Sequence, residues 1–226
     1  MGECDTIHAW KIYPAPTFNE WYLQRDNEIA VEKIASECPK PVCIHIMDEP
    51  TPAHRLIDAA ENHPHLNFIT YHSGFHMSGL QHDRYLAEQA NLRNNIFLEV
   101  GMVFGGELIR NPLEARSFIQ TVFKAPTAQI MWGTDSLWYG SPRWQSEGLA
   151  RLIVPGIDEK EADSKKEAMF WNNPVRVFAP NQDQHPNQNL IDRNVEYNSL
   201  KTRAEQDLYF ETWYDQNILS QNTPIP

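Results

Sequence analysis

The sequence predicts an α/β fold built on a parallel sheet. The first observation is a set of four short apolar strings: PVCIHI (Pro41–Ile46), LNFITYHSG (Leu66–Gly74), NIFLEVG (Asn95–Gly101) and QIMWGTDS (Gln129–Ser136). Apolar runs of this length read as strands buried on both faces. The second is that longer segments with helical spacing separate them, giving βα units of roughly 25–35 residues and a sheet with right-handed crossovers. The third is that three of the strings carry His45, His72 and Asp135 at or near their ends. Chemistry in parallel sheets gathers at the carboxyl ends of the strands. One site assembled from three distant stretches of chain is therefore expected.

The elements follow in order. AWKIY (Ala9–Tyr13), closed by Pro14-Ala15-Pro16, reads as a strand end followed by a loop. Asn27 to Ser36 is a helix by pattern, with Ile29, Ala30, Lys33 and Ile34 at i, i+4 spacing among good helix formers. After the strand at Val42, Thr51-Pro52 opens a helix with a capping residue and a first-turn proline. That helix carries Leu56, Ile57 and Ala60 inward and stops at His63-Pro64. The strand at Leu66, a Gly/His loop, a helix over Tyr85 to Leu92 and the strand at Ile96 come next. A glycine-containing loop is expected over Gly101 to Gly106, then a helix over Leu113 to Phe123. After the strand at Gln129 comes a loop, SLWYGSPRW, rich in Trp, Tyr, Gly and Pro. Ile157-Asp158 caps a helix from Glu159 to Trp171, and NNPVRVF (Asn172–Phe178) forms another short one. Two regions result: a sheet-and-helix body over 1–179, and a polar tail over 180–226, rich in Asn and Gln. In that tail Ile191, Val195, Leu200, Ala204, Leu208 and Trp213 fall near the spacing of an amphipathic helix. A partly ordered tail is the alternative.

The bulk properties narrow the function classes. The chain has 226 residues, 41% of them hydrophobic, with 7 Trp, 8 Tyr and 10 Phe, enough for a substantial core. Its formal charge of −11, with no basic cluster, argues against nucleic acid and anionic membrane as partners. No apolar stretch is long enough for a transmembrane helix, and the first ten residues lack the pattern of a secretory signal. The three cysteines, Cys4, Cys38 and Cys43, form an odd, sparse set without a CxxC pair. That argues against a disulfide framework or a zinc knot, and the chain reads as cytoplasmic.

Imidazole and carboxylate suit zinc and related divalent ions, and a catalytic metal site needs few protein ligands plus an open position. Taken singly, His45 and His72 also fit hydrogen-bonded core histidines. Asp135, in W-G-T-D-S, also fits a turn or helix cap. A buried strand-end aspartate otherwise needs a cation or donors beside it, and Gly133 lets backbone approach closely.

The ordered set of strings resembles the amidohydrolase superfamily, in its amidohydrolase-related branch of hydrolases and decarboxylases. The matching residues are K-I-Y-P (Lys11–Pro14), P-V-C-I-H (Pro41–His45), N-F-I-T-Y-H-S-G (Asn67–Gly74), I-F-L-E-V (Ile96–Val100), W-G-T-D-S (Trp132–Ser136) and N-N-P-V-R-V-F (Asn172–Phe178). The resemblance implies strands four to eight of a TIM (β/α)8 barrel, with one divalent ion, zinc by preference. It implies His45 and Asp135 as metal ligands, and His72 and Asp135 as the groups that move protons. By position, Lys11, Trp138 and Arg143 are its substrate contacts. The family supplies further ligands as an H-x-H motif on strand one. The only such spacing here, His63-Pro64-His65, falls in a turn. A full barrel usually needs about 250 residues. The expectation is therefore the C-terminal part of a longer barrel, acting on a small-molecule substrate as a hydrolase or non-oxidative decarboxylase. A homo-oligomer or a second chain would complete it. The alternatives are a barrel remnant serving as a binding or assembly module, and a metal-free lactonase.

Overall fold

In the computed structural model, the residues described are 4, 7–12, 25–45, 50–73, 81–135, 142–178 and 212. Five strands alternate with helices: β1 (Trp10–Ile12), α1 (Arg25–Glu37), β2 (Val42–His45), α2 (Pro50–Asn62), β3 (Phe68–Tyr71), α3 (Gln81–Leu92), β4 (Ile96–Glu99), α4 (Val103–Arg110), α5 (Pro112–Val122), β5 (Ile130–Met131), α6 (Pro142–Arg151), α7 (Glu159–Glu167) and α8 (Asn173–Phe178). The strands form one parallel sheet in sequence order, β1-β2-β3-β4-β5. Register runs straight across it, with Trp10 opposite Val42, Val42 opposite Phe68, Phe68 opposite Ile96, and Leu98 opposite Ile130. This is the mixed α/β architecture expected. The expected tail from 180 onward lies outside the described residues, residue 212 apart.

Both sheet faces are buried, which is why the strands read as continuous apolar runs. Side chains alternate between faces. Val42, Ile44, Phe68, Ile96, Leu98 and Ile130 point into the main core, with Leu56, Leu86, Phe118 and Ile119 from the helices. Cys43, Ile69, Phe97 and Met131 point the other way and pack with Val177 of α8. Buried amides tie the amino ends of the strands to the helices. Asn95 Nδ2 donates to the carbonyls of Ala60 (3.0 Å) and Leu66 (3.1 Å), and Asn173 Nδ2 donates to Thr127 and Ile130 (both 2.7 Å).

Several helix ends obey the sequence signals. Asn111 caps α5, accepting from the Leu113 N–H, ahead of a first-turn proline. Asp158 caps α7, accepting from the Glu161 N–H. Three expectations need correction. The segment Gly101 to Gly106 is not a loop throughout, because α4 covers Val103–Arg110. Val103, Phe104 and Leu108 bury into the core there. Within that helix Gly105 leaves room for the Gln145 side chain from α6, which a Cβ would meet at 2.6 Å. The helix expected from Glu159 to Trp171 changes to π geometry at Ala168–Asn172. Finally, Cys4 and Cys38 form a disulfide, with Cα atoms 5.7 Å apart. The cysteine pattern could not show this: α1 carries the chain back so that Cys38 meets a residue 34 positions earlier. The Trp10 indole donates to the Cys38 carbonyl at 3.2 Å beside it.

The bridge closes a long loop, so its loss should cost up to about 4 kcal/mol in the chain-entropy account. Thiol titration of the unreduced, denatured chain should find one reactive cysteine, Cys43, and titration of the native chain none, since Cys43 is buried. Three reactive thiols before reduction would show the bridge is not formed.

Candidate active site

The carboxyl ends of β2, β3, β4 and β5 converge, and each contributes one polar side chain. His45 is the last residue of β2 and Glu99 the last of β4. His72 follows β3 directly, and Asp135 lies four residues beyond β5. His45, His72 and Glu99 are buried. The Asp135 side chain keeps 31% of its surface exposed, so it faces the opening.

Three of the expected residues are brought together. The His45 and His72 rings meet edge to face with centroids 4.8 Å apart. His72 Nε2 lies 3.9 Å from Asp135 Oδ2. Lys11, on β1, places its ammonium 4.1 Å from the centre of the Tyr71 ring, close enough to influence every titrating group of the site. Arg143 sits elsewhere in its interactions: on α6, its Nε donates to Glu147 Oε1 at 2.9 Å with the guanidinium side chain mostly exposed. Trp138 lies outside the described residues.

The residue missed in the sequence is Glu99. Its Oε2 accepts from the His72 backbone N–H at 2.9 Å and its Oε1 from the Gly101 N–H at 2.7 Å. Oε2 is also 3.8 Å from His72 Nδ1, an electrostatic contact too long for a hydrogen bond. His72 thus lies between two carboxyl groups. A signal existed, since a lone glutamate closing an apolar strand must find partners if buried. The partners themselves lie on other strands, where a linear reading could not reach.

The backbone here is unusual. Among the described residues, the non-glycine positions with positive φ are His72 (62°), Ser73 (48°), Met102 (37°) and Asp135 (44°). All four leave the carboxyl ends of β3, β4 or β5. Such conformations cost on the order of 1–3 kcal/mol each and persist where surrounding structure over-determines them.

Burial governs the protonation states. It holds the His72 imidazole down to about 3, with His45 and Lys11 adding to the effect, and His45 down to about 4, with help from Lys11. Both rings are therefore neutral near pH 7. Burial pushes the Glu99 carboxyl up to about 7, against the two backbone hydrogen bonds that favour its charge; Asp135 raises it further and Lys11 lowers it. Asp135 is raised from the ordinary carboxylate range, chiefly by desolvation and against the pull of Lys11. Burial also pushes the Cys43 thiol and the Tyr71 phenol up to about 12, so both stay protonated.

A cavity of about 230 Å³ opens over these groups. Its polar side is His72, Glu99 and Asp135, and its walls include Ile69, Tyr71, Met131, Trp132 and Phe178. Neutral imidazoles and a carboxylate are the right donor types for zinc. Their number and convergence do not fit: among the described residues no group of three or more His, Cys, Asp or Glu side chains could hold a metal ion.

Two comparisons bear on this arrangement. A family described as amidohydrolase matches residues 30–179, a span that contains His45, His72, Glu99 and Asp135. No curated protein matches the chain.

Two outcomes are expected of the isolated chain. Zinc added and then dialysed away should fall well below one equivalent, because the described ligands are too few for a tight site; stoichiometric retention would contradict this. Stability should also fall as pH drops below the unfolded histidine value near 6.5, because folding holds His45 and His72 neutral. Two raised carboxyls oppose this, Glu99 losing stability as pH rises from about 4.5 to about 7 and Asp135, whose shift is smaller, in the same sense, but they only partly offset the two histidines. Urea midpoints at pH 5 and pH 7 measure the difference, and His72→Gln should shrink it. An equal or larger difference in that variant would count against the assignment.

Proposed function

This chain belongs to the amidohydrolase family, and from that premise we propose that it acts on a carbonyl-type carbon. The reaction is hydrolysis of an amide, lactone or ester, or non-oxidative decarboxylation, with His72 and Asp135 as the working pair. The observation that carries the reading is the 3.9 Å approach of the Asp135 carboxylate to His72 Nε2 at the cavity.

The chemistry follows from the protonation states. His72, with its pKa held near 3, works as a neutral ring. It donates an N–H to a carbonyl oxygen or offers a lone pair, and it does not serve as an imidazolium acid. Asp135, partly open to the cavity and with its carboxyl raised chiefly by desolvation, is the group placed to exchange protons with water or substrate. In hydrolysis it takes the proton from a water attacking the carbonyl carbon. The bond to the leaving oxygen or nitrogen then breaks, and the proton passes to that atom. In decarboxylation the carbon–carbon bond breaks, and the electron pair left on carbon takes a proton from the same acid. The apolar walls suit a partly apolar or unsaturated substrate, and the Lys11 ammonium beside Tyr71 suits an anionic group on it. No step is assigned to zinc, which the resemblance implies with His45 and Asp135 as ligands, because the described residues do not converge as a ligand set.

A second reading, a barrel remnant that binds or assembles without turnover, is favoured by that same absence of a three-ligand group among the described residues. Assays on nitrophenyl esters, lactones and aromatic carboxylates, with and without added zinc and chelator, separate the two. Turnover reduced at least about 100-fold by Asp135→Asn is expected, in line with loss of a general acid–base. Chelator-insensitive turnover would select the metal-free lactonase form. Absence of turnover with every probe, with and without zinc, would favour the binding module.

A further inference from the structure

We propose that Glu99 is the positioning residue of this site. Its buried carboxylate holds the strand ends that carry His72 and Asp135 in their left-handed turns, and turns the His72 ring so that Nε2 faces Asp135. The functional meaning rests on His72 and Asp135 being the working pair; the structural role does not.

Three strand ends meet at this one group. From β3, the His72 N–H donates to Oε2 at 2.9 Å, and Ser73 Oγ donates to the Glu99 carbonyl at 2.9 Å. From β4 itself, the Gly101 N–H donates to Oε1 at 2.7 Å. From β5, Gly133 is packed so closely that a Cβ there would sit 1.5 Å from Oε1, and one on Gly101 would sit 2.3 Å from it. The carboxylate therefore fills space that both glycines leave, two residues before the left-handed Asp135. Aspartate would be one methylene short of this reach. A leucine would fill part of the space and leave two backbone donors without an acceptor. The ring contacts complete the geometry: His72 Nδ1 faces Glu99 Oε2 at 3.8 Å while Nε2 faces Asp135 Oδ2 at 3.9 Å. The ring is thus held between two carboxyl groups at nearly equal distances.

The test uses the full chain labelled with nitrogen-15. Glu99→Leu should speed hydrogen exchange of the His72 and Gly101 amides at least tenfold, while Ile69 and Leu98 inside the strands change less than twofold. Unchanged exchange at His72 and Gly101, or an equal rise throughout the sheet, would overturn the proposal, the latter because it signals only a general loss of stability. If Glu99→Leu does not fold, Glu99→Gln serves. Its amide can accept from one backbone N–H only, so one of the two amides should lose protection and the other keep it; both keeping it would reject the role. A second arm is independent of both variants. Gly133→Ala should destabilise the chain with Glu99 present, and much less in Glu99→Ala. Equal destabilisation in the two backgrounds would reject the close approach. These readouts need no turnover, so they stand even if the hydrolase reading fails. Where an ester or lactone probe is turned over, Glu99→Gln should lower kcat at least tenfold with KM within threefold. Unaltered kcat would leave the function standing and remove Glu99 from it.

Discussion

A single buried carboxyl group organises the working end of this molecule. Glu99 closes a fully buried strand, where an unsupported charge would be costly. It is supported by two backbone N–H groups and by glycines at 101 and 133 whose missing side chains make room for it. The ends of β3, β4 and β5 are arranged around that support. His72 is held by its backbone, Gly101 by its own N–H, and the β5 end by close packing at Gly133. The left-handed conformations of His72, Ser73, Met102 and Asp135 follow these same three strand ends.

Such an arrangement needs a rigid platform, and the parallel sheet provides one. With both faces buried, the strands cannot slide without moving apolar side chains through the core. Buried amides at the opposite ends, Asn95 and Asn173, pin strands to helices by bonding carbonyls that strand pairing alone leaves open. Burial also has a chemical consequence. It keeps both imidazoles neutral and lifts both carboxyls, bringing Glu99 near neutrality in pKa. A site dominated by desolvation in this way puts its titration nearest neutrality on Glu99 and keeps its histidines as neutral donors and acceptors. The disulfide from Cys4 to Cys38 adds a restraint at the far side of β1, tying the residues before that strand to the end of α1.

Much of this was legible in the linear chain. Alternating apolar strings and helical periods are local signals, and they located the five strands, the cap at Asp158, and the strand-end positions of His45, His72 and Asp135. The errors have local causes as well. Two glycines at 105 and 106 looked like a loop, yet the helix they join is paid for by Val103, Phe104 and Leu108 in the core. The cysteines looked unpaired because a spacing of 34 residues carries no local signal, and α1 brings Cys38 back to Cys4.

The sequence by itself determined the α/β alternation, the family, and three of the four polar groups at the strand ends. Tertiary structure alone decided that Glu99 joins them, that His72 and Asp135 adopt left-handed turns, that Cys4 meets Cys38, and that Lys11 stands over Tyr71. The physical reason is one of range. Periodicity and capping act within a few residues, whereas His72 and Glu99 are 27 residues apart and meet only because the register of β3 against β4 places them side by side.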